Sequence, residues 1–244
     1  MYQQQQVCVV IPALNEAQSI SLVIADLWAL KDQQGNTIID EVVVCDNGSI
    51  DQTAQIAKTA GARVVFEAQP GYGRACLKAL AAIQKTDIIV FMDADHAFYA
   101  HQAINLIDGI AKGRDLVIGS RVLGKIQPGA LTAPQKFGNQ LASHLIQLIW
   151  REKVTDLGPF RAVSQNALNK LAMQDQTFGW TIEMQIKAFQ YHLSVSEVAV
   201  DTRRRIGVSK ISGTIKGTIG AGIGILGMIA KLWWNQKKML AVMS

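Results

Sequence analysis

Cysteine is scarce. Cys8, Cys45 and Cys76 are too few and too scattered for a disulfide framework or a thiolate metal site. Two of them lie inside apolar runs, so buried reduced thiols are expected. A membrane-spanning stretch is also missing. The best candidate, residues 217–230 between Lys216 and Lys231, offers fourteen uncharged residues where about 20 are needed. Residues 1–6 lack the basic start and apolar segment of a secretory leader, and the N-terminus is expected to stay in the cytosol. No Gly-x-Gly-x-x-Gly follows the first strand pattern and no Gly-x-x-x-x-Gly-Lys-Ser/Thr occurs anywhere, which argues against a dinucleotide dehydrogenase and a P-loop NTPase. Acid is nearly absent from one region: beyond position 200 only Asp201 faces eight Lys and Arg. The formal charge of +5 therefore belongs to the tail. A basic tail suits nucleic acid, an anionic membrane surface or a phosphorylated ligand.

With 244 residues, 49% hydrophobic and 18% charged, the chain has the make-up of a globular domain with a full core. Its organising stretch is Asp87-Ile88-Ile89-Val90-Phe91-Met92-Asp93-Ala94-Asp95, an apolar run of the kind buried on both faces of a parallel sheet. Two carboxylates, Asp93 and Asp95, close it. In open α/β sheets ligands sit at the carboxyl ends of strands, and side chains two apart on extended backbone share a side. Paired carboxylates repel unless a cation separates them, so a divalent ion with a bound phosphate is one reading and a pair of turn aspartates the other.

Strand and helix patterns alternate along the chain. Residues 7–11 form a strand ended by Pro12, and Ile20, Val23, Ile24, Leu27 and Trp28 recur at helical spacing. Strands at 41–45, 63–66 and 116–121 are separated by helices at 51–61, 75–84 and around Ile104, Ile107 and Ile110. This predicts right-handed crossovers and a mostly parallel, Rossmann-like α/β sheet with flanking helices. Pro12-Ala13-Leu14-Asn15-Glu16 and Asp46-Asn47-Gly48-Ser49-Ile50-Asp51-Gln52-Thr53 open at the same edge as Asp93. Glu16 and Asp46 can accept from a nucleobase N–H or ribose hydroxyls. Asp51 and Thr53 are read as helix caps.

These blocks, in this order, resemble family 2 glycosyltransferases of GT-A fold. The resemblance is closest to the dolichol-phosphate mannose synthase-like branch, which moves a hexose from a nucleotide sugar to a polyprenyl phosphate. Gly71-Tyr72-Gly73-Arg74, Gly119-Ser120-Arg121, Thr155-Asp156-Leu157-Gly158-Pro159-Phe160-Arg161-Ala162 and Arg205-Ile206-Gly207-Val208-Ser209-Lys210 carry it across nearly the whole chain. It implies that Pro12, Leu14, Glu16 and Asp46 bind the nucleotide. Asp93 and Asp95 would hold Mg2+ or Mn2+ against the diphosphate, and Arg121 and Arg161 would face the acceptor phosphate. One position departs. Such synthases usually carry Gln two residues after the second aspartate, where this chain has Ala97. His96 or water would complete the coordination, or metal dependence is weakened; a His that is merely part of the loop is the alternative.

An ion at Asp93 and Asp95 would neutralise the leaving diphosphate. A phosphate acceptor is already anionic, so positioning by Arg121 and Arg161 suffices, with inversion at the anomeric carbon. A hydroxyl acceptor would need a base, and Glu183 is the candidate; it equally could orient the donor sugar or be a partly exposed helix residue. Residues 137–150 read as an amphipathic helix and 193–200 as a strand returning to the sheet.

Arg203, Arg204, Arg205 and Lys210 form a cluster for phosphate oxygens or anionic headgroups. Beyond it, glycines at 213, 217, 220, 224 and 227 make a smooth helical stripe, and Trp233 and Trp234 with Lys231, Lys237 and Lys238 resemble an interfacial anchor. The expectation is a GT-A domain over 1–205 and a basic, Gly-rich C-terminal segment over 206–244, amphipathic and interfacial. The enzyme would sit in the cytoplasm on the inner face of the membrane, with a nucleotide sugar donor, a lipid-phosphate acceptor, a possible homodimer through the glycine stripe, and no nucleic acid. A glycolipid or glycan hydroxyl is the alternative acceptor. A non-catalytic membrane-associated nucleotide-sugar-binding protein is the alternative class.

Overall fold

A computed structural model describes residues 1–207 and 215–243. Strands β1 (Val7–Ala13), β2 (Glu41–Asp46), β3 (Arg63–Phe66), β4 (Ile88–Phe91), β5 (Leu116–Ser120), β6 (Arg161–Ser164) and β7 (Val195–Ala199) form one sheet in the order β3-β2-β1-β4-β6-β5-β7. Helices α1 (Ile20–Trp28), α2 (Thr53–Thr59) and α3 (Tyr72–Leu80) connect the first four strands. The rest are α4 (Ala103–Ala111), α5 (Ala133–Trp150), α6 (Gln165–Leu171), α7 (Trp180–Gln190) and α8 (Ile215–Met243).

Period-two alternation explains the layers. Val7, Val9 and Ile11 face one core with α1 and α4, whereas Cys8 and Val10 face the other with α3, α6 and α7. Both faces are covered, so the strands read as continuous apolar runs. All three cysteines are buried and unbridged, and burial pushes their thiol pKa values up.

Two features differ from the sequence expectation. The β4 strand ends at Phe91, so residues 92–95 leave the sheet as a turn above it. More consequentially, β6 lies antiparallel between β4 and β5. The chain leaves β5 at the carboxyl edge and, after α5 and residues 151–160, enters β6 at that same edge, where Arg161 pairs with Phe91 and Ile118, so β6 runs backwards. Its sequence, Arg-Ala-Val-Ser, is too short and too polar at its first position to read as a strand.

A third apolar cluster joins α5, α7 and α8 through Ala142, Ile146, Ile182, Ile186, Met228, Ile229 and Leu232. One face of the C-terminal helix is thereby buried against the body of the protein. Among the described residues no helix is long and apolar enough to cross a membrane.

Candidate active site

Loops after β1, β2 and β4 meet at the carboxyl edge of the sheet. Asn15, with a positive φ of 52° that Asn tolerates, receives a hydrogen bond from Ile50 N–H, and its own N–H donates to Ser49 Oγ (2.9 Å). Glu16 N–H donates to Thr53 Oγ1 (2.8 Å), and Thr53 N–H to Asp51 Oδ1 (3.0 Å). Asp51 precedes the N-cap, Gln52, and braces the first residue of α2 through Thr53 N–H, while Thr53 ties that start to the β1 loop.

The joined loops wall a cleft of about 260 Å³ lined by Pro12, Leu14, Glu16, Asp93, Asp95 and Arg205, with Tyr72 and Phe178 closing it. Asp93 takes a hydrogen bond from the Tyr72 hydroxyl at 3.1 Å. Burial and then the neighbouring charge of Asp95 push its pKa up to about 7, against the opposing pull of Tyr72, Arg205 and Arg121. Asp95 accepts from Ala97 N–H (3.0 Å) and pairs with Arg205 Nη1 at 3.1 Å; Arg205 Nη2 also reaches Glu16 Oε1 at 2.7 Å. A guanidinium thus already stands as the cation between two of the cleft's carboxylates, and its buried Nε–H has no acceptor among the described residues. These groups fit a divalent ion carried jointly by two carboxylates and a phosphate. Among the described residues no cluster of three or more metal-binding side chains occurs.

Arg121 lies at the end of β5. Its guanidinium is held by both oxygens of Asp156 (2.8 and 2.7 Å), which in turn caps Arg121 N–H (2.7 Å). Burial works against its charge, but pairing with Asp156 and the proximity of Asp93 and Asp95 outweigh it and raise its pKa. Beyond Arg121 opens a second cavity of about 500 Å³, lined on the α5 side by Lys136, Ser143 and His144. Ser143 Oγ is buried there without a partner among the described residues.

Other expected residues lie elsewhere. Asp46 is buried at the end of β2, where its carboxylate accepts from Ser49 N–H (2.9 Å), outside the lining of the cleft. Arg161, expected to face an acceptor phosphate, is 0% exposed and spends its guanidinium on the carbonyls of Leu157, Gly158 and Thr181. Burial pulls its pKa down to about 10. Glu183, the expected base, is 2% exposed and accepts from Gln174 N–H and Asp175 N–H (2.7 Å), with Lys187 Nζ at 2.8 Å. Both face inward for the same reason: their charges satisfy backbone groups that the β6 and α7 crossings bury. His96 turns away from the carboxylate pair to Asp26 (2.9 Å). Arg203 stacks over Tyr99 at 4.5 Å and donates to His96 O (2.7 Å), holding the C-terminal arm against the β4 loop instead of projecting outward. Lys210 and Gly213 lie outside the described residues.

Asn47, Tyr72 and Phe178 belong to the site although sequence reasoning assigned them no role. The flanking glycines of Gly71-Tyr72-Gly73 signal close backbone approach at a helix start; Phe178 arrives from a distant segment with no local signal. The glycine stripe of α8 is partly used within the chain, since Gly220 and Gly224 face Phe178 while Gly227 is open.

Comparison with known proteins identifies the family. The family description Glycosyl transferase family 2 matches residues 8–172. A Mycobacterium tuberculosis protein named only as an uncharacterized glycosyltransferase is 33% identical over 216 residues, 87% of this chain and 93% of its own. The dolichyl-phosphate hexose transferase of Haloferax volcanii is 30% identical over 216 residues, 86% of this chain and 88% of its own. Among solved structures, glucosyl-3-phosphoglycerate synthase from M. tuberculosis with Mn2+, UDP-glucose and phosphoglyceric acid matches at TM-score 0.71 and 25% identity, covering 93% of this chain and 80% of that one. The fold is GT-A, and the chain belongs to glycosyl transferase family 2.

Proposed function

We propose that the protein moves a hexose from a nucleotide sugar to the phosphate of a polyprenyl phosphate at a membrane surface. The observation that carries this reading is the position of Arg121: a guanidinium fixed on Asp156 that feels the charges of Asp93 and Asp95 and lines a second cavity. A donor diphosphate and an anionic acceptor would meet there.

Pro12, Leu14 and Glu16 would bind the nucleoside, with Asp46 holding the β2 loop behind them through Ser49 N–H, and Asp93 and Asp95 would hold Mg2+ or Mn2+ against the diphosphate. When bound, the ion would supply Lewis-acid neutralisation of the leaving group. Arg205 would then turn from Asp95, and its Nε–H, without an acceptor among the described residues, suits a phosphate oxygen. Arg121 would orient the acceptor phosphate, which is already an anion and needs no base. The internal use of Glu183 agrees with that economy. Attack opposite the diphosphate would invert the anomeric centre.

The lipid reading draws support from the Haloferax relative's name and from the surface of α5 and α8. Phe137 and Leu148 on α5 and Ile223 and Trp234 on α8 are exposed, and Lys237 lies 4.2 Å over the Trp233 ring. That combination suits a helix pair resting on anionic headgroups at the cytoplasmic face. Residues 1–205 would form the transferase unit and 206–244 the membrane segment, with the open side of α8 available to a second copy.

A soluble phosphorylated acceptor is the second reading, favoured by the phosphoglyceric acid complexes of the structural neighbour. Labelled UDP- and GDP-hexoses, offered with a short polyprenyl phosphate in detergent or with 3-phosphoglycerate in buffer, with Mn2+ or chelator, separate the two. Metal-dependent lipid product supports the first reading. Product on phosphoglycerate alone establishes the second, and donor hydrolysis without either transfer points to a hydroxyl acceptor.

A further inference from the structure

We propose that Tyr72 is a positioning residue for Asp93, and that Glu183 acts on the donor site from a distance by holding Tyr72 in place. The contacts form a continuous chain. Glu183 accepts from Gln174 N–H and Asp175 N–H, and Lys187 braces it while donating to the carbonyls of Leu171 and Ala172 (2.9 Å each). This fixes residues 171–177. Gln176 O and Thr177 O then accept from Arg74 N–H and Gly73 N–H (3.1 Å each), two of the amides that the start of α3 leaves without helical partners.

The approach is close enough to demand glycine. A Cβ on Gly71 would lie 2.2 Å from Gln176 O, and one on Gly73 2.1 Å from Asp175 O. Asn47 Oδ1 accepts from Gly71 N–H (2.8 Å), closing the opposite side. Tyr72 therefore begins α3 with its backbone gripped from both sides, and its hydroxyl is delivered to Asp93 Oδ1 at 3.1 Å. The Oδ1 atom, fixed by this donor, leaves Asp93 one set of directions in which to meet a cation.

The proposal rests on Asp93 and Asp95 holding the donor's cation. The test is Mn2+ binding in the presence of UDP, measured calorimetrically on the full chain. Tyr72→Phe removes only the hydroxyl; its binding should weaken about tenfold, with KM for the donor rising by a similar factor. Glu183→Gln should weaken binding in the same direction, and combining it with Tyr72→Phe should cost less than the two losses added, because both act through one hydroxyl. Additive losses would overturn the route through Tyr72. Should Glu183→Gln fail to fold, Tyr72→Phe decides alone: wild-type affinity in that variant removes the positioning role. A wild-type chain that binds no Mn2+ with UDP would instead remove the metal reading on which the proposal stands.

Discussion

The two halves of the sheet use charge differently. At the β1, β2 and β4 edge, Glu16, Asp93 and Asp95 crowd one cleft with Arg205 as their cation, and Asp93 gains proton affinity from burial and crowding. Around β5, β6 and α7, charges are paired inside the protein: Arg121 with Asp156, Glu183 with Lys187, Arg161 with three carbonyls. The first region is poised to take up a charged ligand, whereas the second is a scaffold whose charges satisfy the crossing of an antiparallel strand. Arg121 sits on the boundary and belongs to both.

Substitutions should separate these regions. The largest effect on transfer is expected from Asp95→Ala, a loss on the order of a thousandfold with the urea midpoint nearly unchanged, because the cost falls on charge stabilisation and not on packing. Arg161→Ala should do the reverse. Leaving the carbonyls of Leu157, Gly158 and Thr181 buried without donors should cost about 3–5 kcal/mol in urea unfolding, and any folded fraction should still bind UDP. A selective loss of transfer at full stability would move Arg161 into the site.

A smaller effect follows from Asp93. Its folded-state pKa, raised from 3.8 to about 7, means that the folded carboxyl keeps a proton the unfolded one has lost, so its contribution to stability declines as pH rises from 4 to 7. Urea midpoints of the metal-free wild type should therefore fall across that window relative to Asp93→Asn, and Mn2+ with UDP should restore stability more at pH 8 than at pH 5. Parallel midpoints for the two proteins would remove the crowding. The smallest effect concerns the surface of α8: changing Trp233 and Trp234 to Ser should weaken sedimentation with anionic vesicles by about tenfold, leaving transfer to a detergent-dispersed acceptor intact.

How much of this was legible varies with local geometry. Glu16, Asp93 and Asp95 could be placed because a buried parallel strand sends its following loop to one edge, whatever the distant chain does. Arg161 and Glu183 could not. Their directions are set by β6 entering the sheet backwards and by a loop contact to α3, and no spacing within either segment encodes that. Tyr72 was half visible, as an aromatic between two glycines, yet its partner lies 21 residues on and the glycines answer to a loop a hundred residues away. The C-terminal helix was legible as an amphipathic, glycine-striped element, though not that its glycines seat Phe178, which lines the cleft.

The most direct measurement is anomalous diffraction from crystals soaked with Mn2+ and UDP. The account predicts a manganese peak in contact with the carboxylates of Asp93 and Asp95 and the Arg205 guanidinium moved off Asp95 toward the diphosphate. A manganese peak elsewhere, with Arg205 still bridging Glu16 and Asp95, would contradict it.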